Sequence, residues 1–458
     1  MDVPPVDVLA SFQERIQALE ERIRALEAEN RTLRDQLEQE QRRAARQAAP
    51  FRRRDSKKVP EAQKKKPGRK PGHPGASRAV PEHVDECVEV PLHGCPCCGG
   101  PVDEVLSREQ FIEDIPPVRP RVTRIVTYQG TCPRCGPVAS RHPLQMSEAR
   151  GAAKVQLGPR ALALAAAINK QHGVTQRTTC RLLKDLTGLR LTSGGLSQAL
   201  QRVSRKVDGA YQQLMTDLRN RPAVFADETS WYVGAAGSWL WTFTSDTTTV
   251  YRIEASRGRD VVTETLGEDF AGMLVSDCLS AYESVPYRKH KCIAHHQRAI
   301  AEARKRPDTP DPSYLDQWKV FFETVTGVWR ARPSMGEGKF TEVCTGLEAW
   351  CDRLLAEPRT QPGDVAIQKR VGKRRGDILG CLYEPAAEPT NNRAERSLRP
   401  AVIARKVSCG NKTEAGAKCH EILVSVATTC RQRCHEFISW LESCLPLGAR
   451  ADPVPAGK

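Results

Sequence analysis

Between Leu9 and Leu37 the apolar positions advance in alternating steps of three and four: Leu9, Phe12, Ile16, Leu19, Ile23, Leu26, then Asn30, Leu33 and Leu37. A repeat of that period keeps one unbroken seam on one helix face, and such a seam is buried only against a partner helix. Leu9, Ile16, Ile23, Asn30 and Leu37 take the a positions, and Phe12, Leu19, Leu26 and Leu33 the d positions. Ile at a with Leu at d favours a parallel pair, and a single Asn at a fixes its register. In a parallel pair each g residue faces the e residue five positions on in its partner. Arg15 with Glu20, Arg22 with Glu27 and Glu29 with Arg34 are all opposite in sign. The spacing therefore predicts a coiled-coil homodimer over residues 1–48, its interface made by Ile16, Leu19, Ile23, Leu26, Asn30 and Leu33.

Residues 49–80 contain "PGRKPGHPG" and are rich in Arg, Lys, Pro and Gly. A segment so poor in large apolar residues cannot bury a core, and a disordered linker is expected. Its charge suits phosphate contacts, with Arg69 and Lys70 lying extended in a DNA minor groove. The whole chain carries 70 Lys and Arg against 55 Asp and Glu, a formal net charge of +15. That excess calls for an anionic partner without separating nucleic acid from an acidic membrane surface. No apolar run spans a bilayer and no charged-then-apolar opening resembles a signal peptide, so a soluble, cytoplasmic protein is expected.

Seventeen cysteines are better read in a reducing compartment as thiols and metal ligands than as a disulfide frame. "CPCCGG" supplies Cys95 and Cys98, and "CPRCG" supplies Cys132 and Cys135. Two C-x-x-C knuckles, each followed by Gly, provide the four thiolates of a closed structural Zn²⁺ site. The alternating, β-branched "EQFIEDIPPVRPRVTRIVTYQGT" between them reads as two strands, giving a zinc ribbon over 81–148. A redox dithiol is the rival reading, and Cys87 and Cys97 are taken as bystanders.

From Gly158 the pattern is helical. Gly173 and Gly188 read as helix stops, with Thr175 and Thr192 or Ser193 as N-caps. Short helices joined near a glycine fit a helix-turn-helix over 149–220, with Ser197, Gln198 and Gln201 presented to DNA. A small three-helix core that touches no DNA has the same pattern.

After Arg221 the chain turns to strands. "PAVFADETSW" and "AGMLVSDCLSAY" are short apolar runs that end on Asp227 and Asp277, and "GSWLWTFTSD" with "TTTVYRIEAS" reads as a hairpin. "KCIAHHQRAIAEA" reads as a strand passing into a helix. In "PTNNRAERSLRP", Glu395 follows Asn392 by three residues, as in a capping box. Carboxylates from two buried strands and a third from a helix packed across them suit a pair of Mg²⁺ (or Mn²⁺) ions. Asn391, Asn392, Arg396, Arg399, Arg405 and Lys406 would then hold a DNA backbone beside them. Singly, each acid has a structural reading: Asp227 as a strand end, Asp277 as an Asx turn, Glu395 as a cap.

"DETSW", "SDCLSAY", "KCIAHHQR" and "TNNRAERSLRP" together resemble the catalytic domain of DDE transposases of the IS sixty-six (TnpC) family, and the upstream order of segments matches as well. The resemblance implies a multidomain α+β chain with a ribonuclease H-like domain over 221–445, a helical insertion at about 300–388, and a tail at 446–458. It implies Asp227, Asp277 and Glu395 as the metal-binding triad, and Cys292 and His295 as a Cys-x-x-His signature read as local architecture or DNA contact. The implied activity is cutting at the ends of an insertion sequence and joining their 3′ hydroxyls to target DNA. Double-stranded DNA at the terminal inverted repeats and target is the implied partner. A larger synaptic assembly, accessory transposition proteins and a place at the bacterial nucleoid accord with it. A non-catalytic repressor and a nuclease or resolvase without strand transfer are the alternatives.

Overall fold

The computed structural model describes residues 78–145 and 155–446, together with 449, 451–457 and positions 17, 21–23, 25–27, 29 and 30. The chain divides into two compact units, Met1–Ile115 and Pro116–Lys458. In the first, the described positions from Gln17 to Asn30 are helical, and Ile23 and Leu26 of the heptad seam are 54% and 42% exposed. Ile16, Leu19 and Leu33, and Arg69 and Lys70 of the basic segment, lie outside the described residues. The first knuckle is a turn closed by Gly99 N–H on the Cys95 carbonyl at 2.8 Å, with Gly99 at φ 72°.

The two strands expected between the knuckles are a correction: residues 101–128 form no regular strand. Pro116, Pro117 and Pro120 interrupt the stretch, since proline removes ladder donors, and apolar side chains such as Ile112 and Val122 are exposed. A short antiparallel hairpin instead brackets the second knuckle, β1 (Gln129–Cys132) against β2 (Gly136–Ala139), with Cys132 opposite Gly136.

The helical region contains α1 (Pro159–Ala166), α2 (Gln176–Thr187), α3 (Ser193–Lys206) and α4 (Asp208–Arg219). Thr175 and Thr192 accept N-cap bonds from Thr178 and Gly195, and Gly173 and Gly188 end their helices at φ 68° and 77°. These are the caps the sequence predicts. The mixed sheet that follows has the order β5-β4-β3-β6-β7. Its strands are β3 (Ala223–Val233), β4 (Ala236–Thr244), β5 (Thr249–Glu254), β6 (Met273–Ser276) and β7 (Arg288–Lys291). β3, β4 and β5 are antiparallel, while β6 runs parallel to β3 and β7 parallel to β6. The predicted hairpin is β4–β5. However, β3 does not stop at Asp227: it pairs with β4 as far as Val233 opposite Ala236.

Strand alternation sends neighbouring side chains to opposite faces, and both faces are covered. Val224, Ala226 and Leu274 join one core with Leu162, Leu183, Leu200 and Leu214 of the helical region. Ala223, Phe225, Met273 and Val275 join another with Trp318, Phe321 and Phe322. The helices expected to form a separate unit thus share the sheet's core, and no packing boundary falls at residue 220. Between β5 and β6 lies α5 (Arg259–Leu266), and α6 (Ser280–Glu283) precedes β7. After β7 come α7 (Ile293–Ala303) and the insertion helices α8 (Ser313–Ala331), α9 (Glu337–Ala356), α10 (Pro362–Gly372) and α11 (Gly380–Tyr383). The chain then returns as α12 (Asn392–Ser408), α13 (Glu414–Gln432) and α14 (Phe437–Cys444). Val454, in the expected tail, is buried in the first core. No described helix is long and apolar enough to cross a membrane.

Candidate functional site

Asp227 sits mid-strand on β3, Asp277 directly follows β6, and Glu395 is in the first turn of α12. β3 and β6 are hydrogen-bonded neighbours and α12 packs across β3 and β4, and Asp227 and Glu395 line one groove. Burial, followed by the charges of Glu228, Asp277 and Glu395, pushes the Asp227 carboxyl up to about 8. The Glu228 N–H, donating to Asp227 Oδ1 at 3.0 Å, opposes that rise. Asp277 Oδ1 accepts from the Leu279 N–H at 2.9 Å, the Asx turn that its sequence allowed. Glu395 is not a capping-box residue. The N-cap falls one residue earlier, at Asn391, which makes no side-chain cap, and the Glu395 side chain lines an open groove. That groove, about 360 Å³, is bounded by Asp227, Glu228, Thr229, Glu395, Leu398, Arg399, Val402 and Ile403.

The next residue on β3 faces the opposite way. Glu228 is taken up by Arg257 at 2.6 Å and by the Tyr282 hydroxyl at 2.7 Å, with Tyr282 edge-on to Trp241. It is a satisfied structural anion, whereas Asp227 has no ion pair with a cation among the described residues.

The acids are held by bonds that cross between elements. Asn391 is fully buried, and its side chain donates to the Ala226 carbonyl at 2.8 Å, one residue before Asp227. Its own N–H donates to Cys292 Sγ at 3.1 Å, and the Cys292 N–H donates to the Ser276 carbonyl at 2.9 Å, one residue before Asp277. The start of α12 is therefore tied to the roots of both aspartates. Buried Lys291 adds a second tie, donating to Ser276 Oγ at 3.1 Å and to the Asp277 carbonyl at 3.0 Å.

The sheet and the helix crossing it carry three acids, and paired C-x-x-C turns lie upstream. The model described as Transposase IS66 family matches residues 154–419, which include the sheet, all three acids and the insertion. The chain belongs to the IS66 transposase family. The model described as the zinc-finger binding domain of transposase IS66 matches residues 93–136, which enclose Cys95, Cys98, Cys132 and Cys135. No curated protein gives a significant match.

In this IS66-family chain the residues predicted to hold DNA divide into two groups. Asn392, Arg396, Arg399 and Lys406 are exposed on α12, and Gln198 is exposed on α3 beside half-buried Ser197 and Gln201. Two predictions need correction. Asn391 has no exposed surface, and its side-chain NH₂ joins α12 to β3 through the Ala226 carbonyl. Arg405 is spent on Thr229 Oγ1 at 3.1 Å and on Ser230, so it clamps α12 to the outer half of β3. Of the Cys-x-x-His pair, Cys292 is architectural through Asn391, while His295 Nδ1 is buried without a partner. Glu228, Tyr282 and Lys291 escaped sequence reasoning because their partners are distant in the chain. The only local hint was that "DETSW" and "SDCLSAY" each pair an acid with an aromatic.

Each C-x-x-C turn favours thiolate by itself. Backbone N–H groups of Cys97 and Cys98 lower the Cys95 thiol, and those of Arg134 and Cys135 lower Cys132. Gly136, at φ 74°, closes the second turn as Gly99 closes the first. Such turns suit zinc ligands, and the zinc-finger match makes structural zinc the natural occupant. Among the described residues no three His, Cys, Asp or Glu side chains converge into one metal-binding group. The Asp227, Asp277 and Glu395 donors are nonetheless all carboxylate oxygens, the set that Mg²⁺ and Mn²⁺ prefer. Burial and the neighbouring acids, with no cation paired to Asp227 among the described residues, raise its carboxyl. An open set fits ions that keep several waters and take further oxygens from substrate phosphate.

Proposed function

We propose that this protein is a DNA transposase that cleaves the ends of an insertion sequence and joins their 3′ hydroxyls to target DNA. Asp227, Asp277 and Glu395 are the residues that would hold two Mg²⁺ or Mn²⁺ ions. The observation that carries the reading is the location of Asp227, Asp277 and Glu395 on two neighbouring strands and the helix packed across them, in a chain of this family. A strand order with antiparallel β3, β4 and β5 and parallel β6 and β7, with helices on both faces, supports a ribonuclease H-like core with a helical insertion. When bound, the ions supply activation of the attacking oxygen and stabilisation of the leaving oxygen in an in-line displacement. The protein's own part is positioning. Asn391 and Cys292 fix α12 against both aspartates, and Arg396, Arg399 and Lys406 offer cations to the backbone phosphates.

Around this core the remaining assignments are consistent with DNA work by a dimer. The opposite-sign g–e pairs and the exposed Ile23 and Leu26 support a parallel coiled coil. Cys95, Cys98, Cys132 and Cys135 would share one structural Zn²⁺, and Ser197, Gln198 and Gln201 would meet DNA from α3. The test is joining of a labelled element end to plasmid DNA in Mg²⁺, comparing wild type with Glu395→Ala. Joining that is lost in the variant while DNA binding persists supports the reading. Equal joining by both removes Glu395 from the site, and cleavage without joining by wild type favours a nuclease.

A further inference from the structure

The basic run "KRVGKRR" on the insertion contains one arginine that its surroundings do not neutralise. Lys373 and Arg374 both pair with Glu283, and Arg375 pairs with Asp352 and Glu348. Lys369 is exposed to solvent. Arg370 differs. Among the described residues it has no carboxylate partner, its Nε is buried without a hydrogen bond, and its Nη2 rests on Cys278 Sγ at 3.3 Å. A thiol is a weak acceptor, a poor match for a guanidinium that prefers two oxygens in a plane. Cys278 is the residue after Asp277, and Asp277, Cys278 and Arg370 are all half-buried, so the contact lies at the rim of the acid loop.

Other donors converge on the same loop. Lys291 holds the Asp277 carbonyl at 3.0 Å, and His296 Nε2 lies 3.9 Å from Cys278 Sγ with its Nδ1 buried and unpartnered. Arg370, Lys291 and His296 thus all contact the loop that carries the Asp277 carboxylate. That arrangement recognises a phosphodiester, which presents oxygens to both a metal-binding acid and a guanidinium.

We propose that Arg370, supplied by the helical insertion, binds a phosphate oxygen of the DNA strand held at Asp277, exchanging Cys278 for it. The inference rests on the transposase reading and gives the insertion a role in the chemistry. It is tested by joining assays in Mg²⁺ with wild type, Arg370→Ala, Arg370→Lys and Cys278→Ala, alongside thermal melting and DNA affinity as a function of salt. Arg370→Ala should join about 100-fold more slowly, the scale of one lost charge-stabilising donor. Its plot of log affinity against log salt should flatten by about one unit. Cys278→Ala should join at close to the wild-type rate. If Arg370→Ala melts early, Arg370→Lys carries the test, since it keeps charge and stem but loses the planar fork. It should still join at least about 10-fold more slowly. Wild-type joining by the Arg370 variants overturns the inference, as does a parallel loss in Cys278→Ala, which would make the contact a strut for the loop. Failure of wild type itself to join in Mg²⁺ would instead defeat the transposase reading.

Discussion

The cysteine-knuckle region and the five-stranded sheet are both strand-like in sequence, and only one of them forms a core. In the sheet, β-branched and aromatic residues alternate between two apolar layers, so each strand is stabilised by side chains on both faces. From Val84 to Tyr128 the same residue types stand mostly exposed, including Val90 at 87%, Leu106 at 84% and Ile112 at 91%. Alternation specifies a strand only where something covers the buried face. The sheet has two helical layers to cover it. The knuckle region has short turns built to present sulfur, and its order should depend on metal where the sheet's order depends on packing.

The sharpest way to separate the two regions is to remove chemistry from one and structure from the other. Asp227→Ala, Asp277→Ala and Glu395→Ala should each lower strand joining by about 10³-fold or more while leaving zinc content in place and without lowering the main melting transition. Joining measured with a pre-cleaved end decides it, and retention of wild-type rates by any one variant removes that acid from the site. The converse comes next in size. Stripping zinc with a chelator should expose the region around Cys95 and Cys132 to protease and weaken binding to element ends, while the sheet melts within a few degrees of its original temperature. Coincident loss of both regions in a calorimetric scan would show that they are one cooperative unit.

A smaller effect tests the charge balance at the site. Asp227 binds its proton more tightly in the folded chain, at about 8, than at its ordinary 3.8. Stability of the metal-free protein should therefore fall as pH rises between those values, because over that window the folded state carries the additional proton. Asp227→Asn should melt higher than wild type, with a gap that widens from pH 5 to pH 8. Added Mn²⁺ should narrow it by stabilising only the wild type. A gap that does not change with pH would mean that the carboxyl is hydrated and unperturbed by its neighbours.

Local rules read well from the sequence where local physics decides. Thr175 and Thr192 cap, Gly173 and Gly188 terminate, the β4–β5 hairpin forms, and Asp277 ends its strand. What failed needed information from far along the chain. β3 continues past Asp227 because β4 supplies partners up to Ala236. Asn391 sits in an arginine-rich stretch that reads as solvent-facing, yet Ala226 and Cys292 draw it inside, 165 and 99 residues away. Arg405 is claimed by Thr229 and Ser230 in the same way. The candidate acids were legible as residues, while the ties that hold them together were not.

The sheet carries one feature with no counterpart in the knuckle region, and it yields the smallest effect. β5 is an edge strand, and unpaired edge donors invite wrong pairing. Here α13 covers that edge with side chains spaced one helical turn apart. Thr429 Oγ1 accepts from Thr249 N–H at 3.1 Å, Ser425 Oγ from Tyr251 N–H at 2.8 Å, and Glu421 Oε1 from Ile253 N–H at 2.6 Å. Alternate strand residues thus find acceptors at every fourth helix position, a helix standing in for a missing strand. Ser425→Ala and Thr429→Val leave a buried N–H unpaired and should each cost about 1–3 kcal/mol in denaturant unfolding, with joining unchanged at permissive temperature. Glu421→Gln should cost least. Burial already raises the Glu421 carboxyl, and an amide oxygen still accepts from Ile253, so only the pairing with half-exposed Lys418 is lost. If Glu421→Gln proved the most damaging of the three, the ladder would owe its strength to charge and not to its hydrogen-bond spacing.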